Sequence, residues 1–380
     1  MVKKLFRFLR GLRFRHTPLV EITISRERLL SNLHFFQKNN QGLGIAPVLK
    51  SNAYGHGLAL VAKIVDKENI PFIIVDSYHE ALVLRNEGIR SKILIIGYTP
   101  LDNILKQKLH NVALTIVSLE QLQEISKHLK RPAKFHLKID TGMHRQGILP
   151  ASVNYAVSLI RANPKIILEG ICSHLAEADS IRQEFTKNQI TVWNEVVERF
   201  KQEFTNITYF HLLLSSGAFY SKSITANVLR LGISLYGIDP SERKRIPELL
   251  PVLEMKSIIS GTKIISKGEH VGYGITFEAS KNMRIATIPS GFYEGVDRRL
   301  SNKGFVKIGD TFCPIVGRVS MNITTIDVSE VTNATLNTPV TIISKNYLDK
   351  NSIEESAKLA GTSSYDLLVH IQQGLRRRVV

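Results

Sequence analysis

Eight short β-branched runs, each set apart from the next by enough chain for a helix, constrain this 380-residue sequence most tightly. They fall at 45–49, 72–75, 93–96, 113–117, 135–139, 167–173, 209–213 and 228–235. Helix-period segments occupy 26–38, 78–86 and 184–203, the first with Leu29, Leu30, Leu33 and Phe36 on its apolar stripe. Strands alternating with helices pair in parallel, and eight of them close a (β/α)8, or TIM-like, barrel. An open doubly wound sheet would carry fewer strands and usually a GxGxxG after the first, which is absent. From about residue 246 the texture changes to short runs at hairpin spacing: 262–265, 284–288, 305–308, 315–319, 324–328 and 340–343. Two terminal helices are announced by Ser352 with Glu355 and Ser363 with Asp366. The expected α/β organisation is a basic extension over 1–16, a barrel over 17–245 and a mainly-β C-terminal domain over 246–380.

The formal charge of +17 is the unusual bulk value. Part of it lies in 1–16, where six Lys and Arg alternate with Leu and Phe, a pattern compatible with contact at an anionic membrane surface. Arginine interrupts that segment too often for a signal peptide, and no stretch approaches a membrane span. Motifs that read nucleic acid are absent, so no such partner is expected. Cys172 and Cys313 lie far apart and belong to no Cys/His cluster, which argues for a reducing, cytoplasmic setting and against a metal.

Barrels carry their chemistry at the carboxyl ends of the strands. Lys50 ends the first run, in VLKSNAYGHG, and Lys138 sits in the fifth, in KIDTGMHRQG. His174 and Asp179 follow the sixth in CSHLAEAD, Ser215 and Ser216 end the seventh, and Arg230 sits in the eighth ahead of Gly232, Ile233 and Tyr236. The set suits a planar anionic cofactor. Serines and a glycine at the last two strand ends can cradle a phosphate, a histidine can stack on a flat ring, and an arginine can donate to a ring nitrogen. A lysine can hold an aldehyde as a Schiff base. Pyridoxal 5'-phosphate meets all four requirements.

In that order, VLKSNAYGHG, KIDTGMHRQG, CSHLAEAD, RLGISLYG, VGYGITFEA, GFYEGVDRRLSNKG and VGRVSMN resemble the successive motifs of the alanine racemases. The resemblance runs from about Ile22 to near the C-terminus. It implies that Lys50 binds the cofactor aldehyde and that Tyr54, Ser215, Gly232 and Ile233 bind its phosphate. His174 would flank the pyridine ring, Arg230 would face its nitrogen and Arg145 its phenolic oxygen. Lys138 takes a position that is carbamylated in many members, where the carbamate orients the arginine. Tyr273 would be the second catalytic base, reaching in from the partner subunit of a homodimer, and Met321 would offer its backbone N–H to the substrate carboxylate. Inverting a stereocentre needs a base on each face, here Lys50 and Tyr273. An arginine at the pyridine nitrogen cannot readily give up its proton, which favours reprotonation over transamination. The implied product is D-alanine for peptidoglycan.

Several positions depart from the family pattern. Leu214 replaces an asparagine before the phosphate serine, Phe292 replaces the gate tyrosine of GYADG, and Asn322 replaces the aspartate of MD. The tail reads RRRVV, without the tyrosine that many members carry at the phosphate. These substitutions keep open a serine or broad-specificity racemase on the same scaffold. A non-catalytic protein of cofactor homeostasis would lack the β-domain, and a fold-related decarboxylase would show an acid in place of Arg230.

Overall fold

The structure is a computed structural model that describes residues 16–216, 223–241 and 245–380. The basic N-terminal extension, whose pattern is compatible with a membrane surface, lies, apart from His16, outside the described residues. By contact the chain divides into two compact units, residues 25–252 and residues 16–24 with 253–378.

In the first unit the strands β2 (Gly44–Pro47), β3 (Ile73–Val75), β4 (Ile93–Ile95), β5 (Val112–Ile116), β6 (Ala133–Lys138), β7 (Ile166–Cys172), β8 (Tyr209–His211) and β9 (Val228–Leu231) all run parallel. β3 to β8 form one sheet in sequence order, and β2 pairs with β9. Parallel bridges from Val48 to Ile74 and from Leu214 to Arg230 join the two sheets, so the ring closes as a barrel of eight. Its strands are buried on both faces, as the all-buried β5 illustrates. The helix Arg26–Asn39 buries Leu29, Leu33 and Phe36, with Asn32 in place of Leu30 as the fourth inward residue. Asn32 donates to the Leu235 and Leu250 carbonyls and accepts from Leu250 N–H, which ties this helix to the chain beyond β9.

The second unit holds a six-stranded sheet in the order β14 (Thr311–Pro314), β13 (Phe305–Ile308), β16 (Pro339–Ile343), β10 (Leu253–Ile258), β1 (Glu21–Ile24), β17 (Arg377–Val379). A three-stranded sheet runs β11 (Gly261–Ile265), β12 (Met283–Ile288), β15 (Thr324–Asp327). Two helices, Ile353–Ala360 and Ser364–Val369, start where Ser352 and Ser363 accept backbone N–H groups three residues on.

Several details differ from the sequence expectation, among them the short strands β14 and β17, which match none of the expected runs. The strand anticipated at 228–235 stops at Leu231, because Gly232 and a single 3₁₀ turn, Ile233–Tyr236, redirect the chain. The run 315–319 is no strand: Ile315 alone bridges Ile326. β10 went unread, since its buried positions are Leu253, Met255 and Ser257, with no β-branched residue among them, and they alternate with Glu254 and Lys256, residues depleted in strands. Residues 17–24 supply β1, which pairs antiparallel with β10, so by contact they group with the β unit and not the barrel.

Candidate active site

Lys50 opens a turn of rare geometry. Ser51, Asn52, Ala53 and Tyr54 all take positive φ between 51° and 56°, a left-handed helical turn built without glycine. Each such residue costs about 1–2 kcal/mol. The turn is held from within and from outside. Gly57 N–H reaches Asn52 O at 2.9 Å, and Leu58 N–H reaches Asn52 Oδ1 at 2.9 Å. Glu80 Oε1 accepts from Ser51 N–H at 2.7 Å and from Asn52 N–H at 3.4 Å. Gly55 and Gly57 then leave the turn with positive φ of their own.

The turn carries Tyr54 toward Gly232. A Cβ on Gly232 would come within 3.1 Å of the Tyr54 hydroxyl and 3.8 Å of Ser215 Oγ, so glycine keeps the space between the two hydroxyls clear. Ser215 Oγ accepts from Gly232 N–H at 3.0 Å, and Ile233 begins the 3₁₀ turn. Burial, with Asp76 adding, pushes the Tyr54 phenol up to about 12, so it stays a neutral donor. Tyr236 packs against it, stacks on His56 at 4.3 Å and donates to the Val48 carbonyl at 2.9 Å.

Arg230 is buried in the barrel and fixed by both terminal nitrogens. Nη1 reaches His211 Nδ1 at 3.0 Å and the His211 carbonyl at 2.9 Å. Nη2 reaches the Ser173 carbonyl at 2.6 Å and His174 Nδ1 at 3.2 Å. A guanidinium only donates, so His211 must present Nδ1 as a lone pair and carry its proton on Nε2. That proton faces His136 Nδ1 at 2.7 Å. The His136 proton is then on Nε2, 3.6 Å from Glu169 Oε2. Glu169 Oε1 is held by Lys92 at 2.6 Å and Lys134 at 3.0 Å. Hydrogen bonds thus run from His136 through His211 to the guanidinium, with the Glu169 carboxylate 3.6 Å beyond as an ion-pair neighbour and no hydrogen bond between it and His136. Burial, reinforced by Arg230 and other cations, holds His174 and His211 well below the usual histidine range, which keeps both imidazoles neutral.

Arg230, Arg145, Lys138 and Lys50 all act on His174 in the same direction, which places four cations around one imidazole. Lys138 donates to Gln146 Oε1 at 3.3 Å, and burial lowers its pKa, with Arg230, Arg145 and Lys50 adding. Asp140 shapes the loop that follows by accepting from the backbone of Gly142 and of His144, each at 3.0 Å. Gln189, on the helix Glu184–Glu203, bridges the Thr141 hydroxyl and the His174 carbonyl.

In the β unit, Tyr273 is 70% exposed on a short turn whose neighbours Gly272, Gly274 and Ile275 all have positive φ. Positive φ is costly for a β-branched isoleucine. Asn302 braces the turn: its Nδ2 donates to Thr276 and its Oδ1 accepts from Gly317 N–H. A Cβ on Gly274 would come within 3.0 Å of the Arg318 guanidinium carbon, so a cation lies against the residue next to the phenol. The exposed Met321 sits on a loop stitched to Phe292: Phe292 N–H reaches Ser320 O at 3.0 Å and Tyr293 N–H reaches Met321 O at 2.9 Å. Gly291 makes this approach feasible, since a Cβ there would clash with the Ser320 carbonyl at 2.1 Å.

Sequence reasoning thus picked out residues that the barrel unit gathers at one mouth, while Tyr273 and Met321 share neighbouring loops of the β unit. It missed Glu80, His136, His211, Glu169 and Arg318. His136, Glu169 and His211 each sit within a run expected to be a strand, but nothing in the sequence pairs them with one another. Among the described residues no group of His, Cys, Asp or Glu could hold a metal ion, and no helix is long and apolar enough to cross a membrane.

The family profile described as alanine racemase, N-terminal domain, matches residues 24–240, and the one described as alanine racemase, C-terminal domain, matches residues 252–379. An alanine racemase of Methanococcus maripaludis is 34% identical over 340 residues, covering 88% of this chain and 91% of that one. One of Clostridium tetani is 32% identical over 373 residues, covering 96% of each. The solved alanine racemase of Bacillus anthracis with bound L-Ala-P matches with a TM-score of 0.88 at 28% identity, covering 97% of this chain and 96% of that one.

Proposed function

Because the chain belongs to the alanine racemase family, we propose that it interconverts L- and D-alanine on bound pyridoxal 5'-phosphate, with one acid–base group on each face of the substrate. The observation that carries this reading is the shared barrel mouth of Lys50, the hydroxyl pair around Gly232 and the buried Arg230. These residues fit the group. The cleared space at Gly232, flanked by the neutral Tyr54 and Ser215 hydroxyls, suits a phosphate. Cations around a neutral His174 suit an anion whose ring lies on an imidazole.

When bound, pyridoxal 5'-phosphate supplies an electron sink that makes the substrate α-proton acidic. Lys50 would hold the aldehyde until the substrate amine takes its place, and the amine so freed would move a proton on one face of the α-carbon. Tyr273 of the partner subunit moves it on the other, in a homodimer whose sites are shared. The Arg318 guanidinium lies against Gly274, the residue that follows Tyr273 in the chain. Arg230 has both terminal nitrogens committed, which leaves Nε–H as the donor toward a ring nitrogen. Being an arginine, it donates without releasing its proton. Arg145 and the backbone N–H of the partner subunit's Met321 receive the substrate carboxylate. The lowered pKa of Lys138 raises its neutral amine fraction, the form that takes up carbon dioxide, and the resulting carbamate would pair with Arg145.

The product supplies D-alanine for peptidoglycan in the cytoplasm. A serine or broader amino-acid preference is the second reading, favoured by Phe292 and Asn322 on adjoining loops. The test of the cofactor assignment is Lys50→Ala, which should abolish covalent pyridoxal 5'-phosphate trapped by borohydride; undiminished trapping would reassign the lysine.

A further inference from the structure

Glu80 lies thirty positions beyond Lys50, at the start of the helix Tyr78–Asn86, yet its carboxylate faces the turn that carries the lysine. Both of its oxygens are engaged by backbone. Oε1 takes the Ser51 and Asn52 N–H groups of the left-handed turn. Oε2 takes the Asp76 and Ser77 N–H groups at the end of β3, at 2.8 and 3.4 Å. One side chain thereby fastens the turn after the first barrel strand to the turn after the second. Four consecutive non-glycine residues in the left-handed region are costly, and the Asn52 contacts brace only the exit of the turn, which leaves Glu80 as the partner of its first N–H groups.

From this geometry we infer that Glu80 is a positioning residue for Lys50: it holds the left-handed turn that aims the amine into the barrel mouth. The inference rests on the reading of Lys50 as the residue that binds the cofactor aldehyde. Glu80 touches neither cofactor nor substrate in this role. It acts through the backbone of Ser51 and Asn52, and through the same turn it sets the Tyr54 hydroxyl beside Gly232.

Three variants of the full-length protein, stripped of cofactor and then mixed with pyridoxal 5'-phosphate, test it. Glu80→Ala removes all four bonds. Glu80→Gln keeps one acceptor oxygen but turns an NH₂ toward the other N–H pair. Ser77→Ala removes only the hydroxyl that accepts Glu80 N–H at 3.2 Å, and so isolates helix capping. The readouts are the rate of covalent capture at Lys50, trapped with borohydride and mapped by peptide mass spectrometry, and amide hydrogen exchange across residues 50–57. Glu80→Ala should slow capture roughly ten- to a hundredfold and speed exchange in the turn, with Glu80→Gln in between. Ser77→Ala should lower thermal stability yet capture at the wild-type rate. Wild-type capture and exchange in Glu80→Ala would overturn the inference, as would Ser77→Ala slowing capture equally. Wild-type protein that never captures the cofactor at Lys50 would instead overturn the functional reading, and the positioning role with it.

Discussion

Asn322 donates its side-chain N–H to Glu294 Oε1 at 2.7 Å, while Glu294 Oε2 accepts from Gly291 N–H at 2.8 Å. The family's aspartate at position 322 could make no such donation, because two carboxylates at that distance repel unless they share a proton. The departure at 322 therefore does more than remove a charge. It links the Met321 loop to the loop of Phe292.

Asn322→Asp should consequently destabilise this chain by about 1 kcal/mol at neutral pH, through loss of one hydrogen bond to a charged group in a solvent-accessible loop. The shared proton gives the pair a raised folded-state pKa, so the variant recovers stability as pH falls into the carboxylate range. Thermal melts of both proteins at pH 5 and pH 8 check this. A pH-independent difference would remove Glu294 from the explanation.

Gly232→Ala puts a methyl group 3.1 Å from the Tyr54 hydroxyl. Affinity for pyridoxal 5'-phosphate, followed by fluorescence titration, should fall about tenfold or more, since a displaced or unpaired donor costs about 1–3 kcal/mol. Undiminished affinity would place the phosphate elsewhere.

Glu169 lies 3.6 Å beyond the hydrogen-bonded pair of imidazoles, His136 and His211, that leads to Arg230. Burial alone would raise its pKa, but interactions with His136, Lys92 and Lys134 outweigh that and hold it at about 2. A depressed carboxylate contributes stability that is present above its unfolded pKa and lost as pH falls toward the folded value. The neutral His136, His174 and His211 act in the same sense from a higher pH, because the unfolded chain takes up protons near 6.5 that the folded barrel resists. Stability should therefore decline in two stages on acidification, below about pH 6.5 and again below the ordinary carboxylate range. Glu169→Gln should flatten the second stage only, as read by chemical denaturation across pH. A variant that kept the full acid slope would remove Glu169 as its source.

Tyr273→Phe keeps the ring and removes the acid–base group. Racemisation should drop about 10²–10⁴-fold, while solvent exchange of the α-proton survives for the enantiomer whose proton faces Lys50. Equal residual exchange from both enantiomers would contradict the assignment of opposite faces.

The barrel was legible because its strands are compact, largely apolar runs with helix-length chain between them, and Lys50, Arg230 and Gly232 were legible because they fall within or just after such runs. Glu80 and Glu169 were not, since their meaning lies in partners that only the closed barrel brings near: backbone N–H groups 28 and 29 positions away, and Lys92 across 77. β1 was hidden for a related reason. Its four residues form a strand only because β10, more than two hundred positions later, pairs with them. The expected strand at 315–319 came from apolar content alone, without regard to the positive φ at Gly317 that bends the chain.

The central claim is tested most directly by incubating the full-length, pyridoxal-phosphate-loaded protein with L-alanine and with L-serine and quantifying each D-enantiomer by chiral chromatography. The expected result is D-alanine, formed faster than D-serine and approaching an equal mixture with the L form. Faster D-serine would replace the alanine assignment with the second reading, and no D-amino acid from cofactor-loaded protein would contradict racemisation itself.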